Sequence, residues 1–127
     1  ILWAAQDESF PNDTVENYLR LFKPDITNGE LKKLVSDYSL PPLDKTITDQ
    51  GENLSAGQKK KLLIAKVILK QDKASVIVLD EIESGLDTET RNKVKLLLKQ
   101  LKKEGKIIII ISHSKFMEGF NNLSVDL

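Results

Sequence analysis

The chain has 127 residues, 40% hydrophobic and 30% charged, a balance typical of one globular domain and not of a disordered segment. Lysine plus arginine equals aspartate plus glutamate at 19 each, so no net field attracts the whole chain to nucleic acid or anionic lipid. The absence of cysteine excludes disulfides and thiolate metal sites, and no apolar run approaches the roughly 20 residues that span a bilayer.

The first half of the chain is predicted to be mostly helical. Residues 1–5 indicate a broken strand. Because the sequence does not begin with methionine and is strand-like from its first residue, we expect a segment of a longer protein. Two capping-box patterns begin at Asp13 and Thr27, each with glutamate three residues later, and predict helices near 14–22 and 28–38. The apolar face of the second helix consists of Leu31, Leu34, Val35 and Tyr38.

A third helix is predicted over about 56–70, after an irregular stretch that begins at Pro41-Pro42. It opens with unusually small residues, Ser55-Ala56-Gly57-Gln58. In one interpretation these form a capping box, in which Ser55 caps the helix and Gln58 reaches back. In the other they form an anion site, because a helix N-terminus offers unpaired N–H groups and small residues admit a phosphate. The two interpretations are compatible. The predicted inward residues are Leu62, Ala65, Ile68 and Leu69, and the outward ones are Lys59, Lys60, Lys66 and Lys70.

Two short β-branched runs, at 75–79 and 106–111, are typical of strands buried on both faces of a parallel sheet. A helix over 88–104 separates them, and Gly105 stands where its C-terminal cap belongs. Together they predict a right-handed βαβ unit. Its helix has an apolar face made of Val94, Leu97, Leu98 and Leu101.

Polar residues follow these strands directly. Asp80 and Glu81 end the first strand, at the sheet edge where α/β proteins bind ligands, although strand ends are often acidic simply because they are wet. As a functional pair, one carboxylate would face a magnesium ion on nucleotide phosphates while the other orients and deprotonates water. His113 follows the second strand and could donate to a γ-phosphate oxygen, although a single loop histidine is usually only exposed. Asp87 is predicted to cap the following helix.

Taken in chain order, these short motifs resemble those of the nucleotide-binding domain of ATP-binding cassette (ABC) proteins. The resemblance covers nearly the whole chain but only part of the family's domain. Its elements are Gln6 (Q-loop), Leu54–Gln58 (signature, usually LSGGQ), Val76–Glu81 (Walker B and its following glutamate), Ser84–Asp87 (D-loop) and His113 (switch histidine).

The Q-loop stretch QDESFPNDTVENYL and the stretch DKTITDQGENLSAGQ are similar to those of exporter-type cassettes. In exporters the second stretch touches the coupling helices of the transmembrane domains, and here residues 49–51 occupy that place.

The resemblance implies an α/β fold: a partial P-loop NTPase-like parallel sheet on the Walker B side, with an α-helical subdomain. Residues 1–71 would hold the Q-loop, helical subdomain and signature helix, and residues 72–127 a partial RecA-like core with Walker B, D-loop and H-loop.

The resemblance also implies a two-part site for ATP and Mg²⁺, completed by a second nucleotide-binding domain in a head-to-tail dimer. Asp80 would serve the metal, Glu81 would be the general base, and Gln6 would sense metal and water. His113 would bind the γ-phosphate. The signature would bind a nucleotide held by the partner through Ser55, Ala56, Gly57 and Gln58, while Asp87 would communicate across the dimer.

One departure from the family pattern is large. A P-loop needs G-x-x-x-x-G-K-[ST], and the printed sequence contains no such spacing. We therefore expect the isolated chain to be inactive and unable to bind ATP in the usual way, whereas the parent domain would remain an ATPase. Smaller departures are Ala56 in the signature, Ile82-Glu83 after the glutamate, and the run Lys59-Lys60-Lys61.

The leading interpretation is thus part of an ABC exporter's ATPase domain, on the cytoplasmic face of a membrane, with transmembrane domains as partners and no nucleic acid. One alternative is a soluble cassette ATPase, of the SMC-like DNA-repair or the ribosome-associated kind, although sustained heptads are lacking. The other is a non-catalytic cassette module, which the intact Glu81 and His113 disfavour.

Overall fold

The computed structural model describes residues 1–5, 9–82, 85–112 and 124–126. Within them, a parallel sheet has the spatial order β1-β2-β3-β4, and helices pack against it. This architecture confirms the predicted fold class. The strands are β1 (Leu2–Ala5), β2 (Val76–Asp80), β3 (Ile107–Ser112) and β4 (Ser124–Asp126). The helices are α1 (Val15–Arg20), α2 (Asn28–Tyr38), α3 (Ala56–Lys70) and α4 (Thr88–Lys103), with short 3₁₀ turns at Asp49–Gly51 and Gln71–Lys73.

The two faces of the sheet differ in burial. Residues of β1, β2 and β3 pair in register, with Ala4 beside Leu79 and Leu79 beside Ile110. The face that carries these three residues is fully buried, as the alternation of side chains along a strand allows. On the opposite face Trp3 is 48% exposed and Ile107 is 52% exposed. The sheet is therefore covered more completely on one side than on the other.

The first strand departs from the sequence expectation. Residues 2–5 form one continuous strand that pairs in parallel with β2, whereas a broken strand was expected. β2 supplies the hydrogen-bond partners for the backbone of β1, and this long-range pairing could not be predicted from the local sequence pattern. The sheet thus draws on both predicted parts of the chain, 1–71 and 72–127, and that division stays a proposal.

Capping residues place the starts of α1 and α2. Thr27 caps α2 as predicted, because its hydroxyl oxygen accepts a 3.1 Å hydrogen bond from the Glu30 N–H. The predicted cap at Asp13 is wrong by one residue, since Thr14 caps α1. The Asp13 carboxylate instead accepts hydrogen bonds from the Thr14 N–H at 2.7 Å and from the Asn17 side-chain amide at 2.9 Å. These bonds fix the turn that precedes α1.

The third helix is buried around more of its circumference than the sequence predicted. It packs against β1, α1 and α2, so several sides of the helix are covered at once. Lys60, expected to point outward, is only 8% exposed, and that expectation is wrong. The residues of α3 buried with it are Leu62, Leu63, Ile64, Ala65 and Val67, whereas Ile68 and Leu69 are partly buried.

The βαβ unit β2–α4–β3 is present with parallel strands, as predicted. Its helix ends in a Schellman motif, in which the N–H of Lys106 donates to the Leu101 carbonyl and the N–H of Gly105 donates to the Lys102 carbonyl. Gly105 has φ 89°, a left-handed conformation that favours glycine. The strand β4 was not predicted, because three residues are too few to show a pattern.

Candidate functional site

The two acids of the Walker B segment lie at the carboxyl edge of the sheet. Asp80 is the last residue of β2 and pairs with Ile111 of β3, so the two strands are neighbours as expected. The N–H of Glu81 donates a 2.9 Å hydrogen bond to the carbonyl oxygen of Ile111. Glu81 also has φ 56°, a left-handed conformation that is uncommon for a residue with a side chain. This backbone turn ends the strand and holds both half-buried acids beside the end of β3.

Ile82, the residue that follows the acid pair in the chain, is fully buried and anchors this segment in the core. Gln6 and His113, assigned to the same site from the sequence, lie outside the described residues. Ser112, which directly precedes His113, is the last residue of β3. The structure therefore brings Asp80 and Glu81 to the edge where β3 ends, and the roles assigned to Gln6 and His113 stay predictions.

The small residues at the start of α3 include a reciprocal capping box. The Ser55 hydroxyl oxygen accepts a 3.1 Å hydrogen bond from the Gln58 N–H, and the Gln58 side-chain oxygen accepts a 2.9 Å hydrogen bond from the Ser55 N–H. The capping interpretation is therefore confirmed. Ser55 and Ala56 are exposed, and Gly57 and Gln58 are half-buried. The turn is thus open to a ligand, and its anion-binding role stays a prediction.

Asp87 stands at the N-cap position of α4, as predicted. The Thr90 hydroxyl is the strongest of the influences that hold the pKa of Asp87 below its ordinary value, and the positive charge of Lys61 adds to it. The exposed carboxylate is therefore ionised at neutral pH.

A second region, which the sequence analysis only partly anticipated, joins residues 10–15 to residues 45–51. The Gln50 carbonyl accepts a 3.2 Å hydrogen bond from the Phe10 N–H, and the Gln50 N–H donates to the Asn12 side chain at 2.9 Å. Further along, the Ile47 N–H donates to the Asp13 carbonyl at 2.7 Å. The Q-loop segment and the segment before the signature therefore form one surface.

The donor set fits a magnesium ion held mainly by a nucleotide. Among the residues that the structure describes, no group of three or more histidines, aspartates and glutamates could hold a metal by itself. Mg²⁺ is usually bound by one or two carboxylates together with substrate phosphates. Asp80, half-buried at the strand end, meets that requirement.

None of the helices in the described part of the chain is both long and apolar enough to span a bilayer.

Comparisons with known proteins agree with the sequence resemblance. The chain is 32% identical over 123 residues to an ATP-dependent lipid A-core flippase of Pasteurella multocida, covering 90% of this chain and 21% of the flippase. It is 30% identical to a β-(1→2)glucan export ATP-binding/permease protein of Mesorhizobium japonicum, covering 85% of this chain and 19% of that protein. The chain thus spans about a fifth of these relatives.

The fold is similar to that of a bacterial Atm1-family ABC exporter solved with ATP bound. The TM-score is 0.70 at 22% identity, over 90% of this chain and 21% of that one. The model of the ABC transporter family matches residues 1–84, which is most of the chain. Because the family model matches about two thirds of the chain, the chain belongs to the ABC transporter family.

Proposed function

We propose that the protein containing this chain hydrolyses ATP to drive export of a substrate across a membrane, and that Glu81 is its general base. The observation that carries the proposal is the 2.9 Å hydrogen bond from the Glu81 N–H to Ile111, which holds this glutamate beside the end of β3. A base at that place can take the proton of a water molecule that attacks the γ-phosphate. Asp80, one residue earlier, would face Mg²⁺, which neutralises phosphate charge when bound.

Gln6 and His113 complete this half of the site in the proposal. In the sequence Gln6 directly follows β1, the neighbour of β2, and His113 directly follows β3. In the proposal both side chains would act at the carboxyl edge of the sheet. The amide of Gln6 would orient the metal and the water. The imidazole of His113 would donate a hydrogen bond to a γ-phosphate oxygen.

The other half of the site is the N-cap and first turn of α3. Ser55, Ala56, Gly57 and Gln58 would bind the γ-phosphate of a nucleotide held by a second nucleotide-binding domain, in a head-to-tail dimer. The exposure of Ser55 and Ala56 supports this role, as does the first turn of a 15-residue helix, where N–H groups and the helix dipole favour an anion. Asp87, ionised and exposed, would contact the partner domain.

The surface formed by residues 10–15 and 45–51 is proposed to receive the coupling helices of the transmembrane domains. Two hydrogen bonds support this, one donated by the Phe10 N–H to the Gln50 carbonyl and one donated by the Gln50 N–H to the Asn12 side chain, because they join the Q-loop segment to the segment that leads into the signature. A movement of the transmembrane domains against this surface would then be transmitted to the Q-loop and to the signature turn, the two parts of the chain that contact nucleotide in the proposal. The domain would lie on the cytoplasmic face of the membrane.

Substituting Glu81→Gln in the full-length protein tests the proposal. Removing a general base typically costs about 10²- to 10⁴-fold in rate, so ATP hydrolysis should fall by that order while Mg²⁺-dependent ATP binding persists. The matched control is Glu89→Gln, which removes the same charge from the exposed first turn of α4. Turnover in Glu81→Gln equal to that of the wild type would refute the role of Glu81 as general base, and a wild-type protein without ATP turnover would favour a non-catalytic module.

A further inference from the structure

The backbone of residues 45–48 pairs along one edge with the Q-loop segment. Thr46 and Thr14 form an antiparallel bridge, and the Ile47 N–H donates a 2.7 Å hydrogen bond to the Asp13 carbonyl. The Ile47 side chain is fully buried. This edge is therefore fixed both by backbone pairing and by the core.

The opposite edge of the same backbone is bound by the side chain of Asn53. Its Oδ1 atom accepts a 2.9 Å hydrogen bond from the Thr48 N–H, and its Nδ2 atom donates a 2.8 Å hydrogen bond to the Thr46 carbonyl. One partner is a donor and the other an acceptor, so together they fix the orientation of the amide. Because backbone groups of alternate residues in an extended segment face the same edge, this amide pairs there as the backbone of a further strand would.

Asn53 is also close to the signature along the chain. Leu54, the next residue, is buried, and Ser55, the N-cap of α3, follows it. The turn between Thr48 and Asn53 contains Gln50, whose φ of 58° is uncommon for a residue with a side chain. The hydrogen bond from Thr48 to Asn53 bridges this strained turn, and it therefore holds the paired backbone beside the start of α3.

We propose that Asn53 is a positioning residue, whose side-chain amide fixes the signature at residues 55–58 to the surface formed by residues 10–15 and 45–51. The inference rests on the proposed function, in which that surface receives the transmembrane domains and the signature contacts nucleotide. It names the side chain through which a displacement of the surface reaches the signature. Asn53 itself contacts no nucleotide in this proposal, and it affects hydrolysis only through the position of the signature.

The first test is Asn53→Ala in the full-length protein. We expect kcat for ATP hydrolysis to fall about fivefold or more while KM for ATP changes little, because a coupling is lost and no nucleotide contact is removed. Asn53→Asp keeps an acceptor for Thr48 but places an oxygen against the Thr46 carbonyl, so kcat should fall as well. The control is Asn28→Ala, which removes another exposed asparagine whose side chain accepts a 3.0 Å hydrogen bond, in this case from Arg20. It should leave kcat unchanged.

The second test is amide hydrogen exchange in the same full-length variants, which measures local opening without reference to activity. In Asn53→Ala the amides of Thr48 and of the first turn of α3 should lose protection together, whereas in Asn28→Ala both should stay protected. Loss of protection confined to Thr48, or wild-type kcat in either variant of Asn53, would overturn the inference. Failure of the proposed function is distinguishable, because it appears as wild-type ATP turnover in Glu81→Gln and leaves the exchange result unaffected.

Discussion

Gly51 and Phe10 are packed so closely that a single added carbon would collide. A Cβ atom at Gly51 would lie 2.8 Å from Cδ2 of the buried Phe10 ring, and Gly51 has φ 100°, where residues with side chains are strained. Gln50 and Asp49 before it also have positive φ. The proposed coupling surface is thus built on a strained turn that one glycine permits.

The substitution Gly51→Ala is therefore expected to destabilise the protein by about 1–3 kcal/mol, from clash and backbone strain together. The midpoint of urea denaturation measures the change. Gly29→Ala is the matched control, because the nearest atom to its added Cβ is 4.0 Å away and the site is helical. There the expected effect is a gain of about 0.4–1 kcal/mol. Equal effects of the two substitutions would contradict the packing described for Gly51.

Ser55 can be tested for its two roles separately. Ser55→Ala removes the cap of α3 and should cost about 1 kcal/mol of stability. Ser55→Asn and Ser55→Asp both restore a capping oxygen, but the aspartate places a negative charge where the phosphate is proposed to bind.

The expected pattern is near wild-type stability for both restored caps, measured by thermal unfolding, with lower ATP hydrolysis in Ser55→Asp than in Ser55→Asn. We expect the difference to be about tenfold, equivalent to about 1.4 kcal/mol of lost transition-state binding. Equal hydrolysis by the two variants would limit Ser55 to its capping role.

Stability should fall in acid partly through Asp13. Hydrogen bonds from the Asn17 side chain and, less strongly, the Thr14 N–H hold the pKa of Asp13 below its ordinary value of 3.8. The unfolded chain then binds more protons than the folded one as the pH falls, so the contribution of Asp13 is complete above pH 3.8 and is lost below it, through the folded pKa.

Urea midpoints measured from pH 6 down to about pH 3 should therefore decline less steeply in Asp13→Asn than in the wild type. Asp44→Asn, which removes an exposed carboxylate outside this network, controls for the change in net charge. Parallel declines in wild type and Asp13→Asn would contradict the role of these hydrogen bonds.

The exposed side of the sheet predicts self-association of the chain when it is studied alone. β1 is an edge strand of the described sheet and carries Trp3, which is 48% exposed. Open strand edges and apolar patches favour pairing with another chain. Trp3→Lys should reduce the apparent mass in light scattering, whereas Leu96→Lys, on exposed α4, should not. A wild-type chain that is monomeric at high concentration would contradict this expectation.

Local features of the chain could be predicted from the sequence because their causes are local. The capping residues Thr27 and Ser55, the left-handed Gly105 and the two aliphatic runs act over a few neighbouring positions, and the structure has them as expected. The same holds for the place of the acid pair at a strand end. The family could also be predicted from the order of short motifs in the sequence, and the comparisons confirm the family.

Contacts between residues that are distant in the chain were decided only by the tertiary structure. Lys60 is buried although its helical position reads as exposed, because α3 is enclosed by β1, α1 and α2. Lys106 donates to the carbonyls of Gln71 at 2.5 Å and Ala74 at 2.7 Å, and no local pattern marks that pairing. A Cβ atom added to Gly57 would lie 3.3 Å from the carbonyl oxygen of Gly85. This close approach is of the same kind, since a glycine's missing side chain becomes meaningful only when another backbone is known to lie beside it.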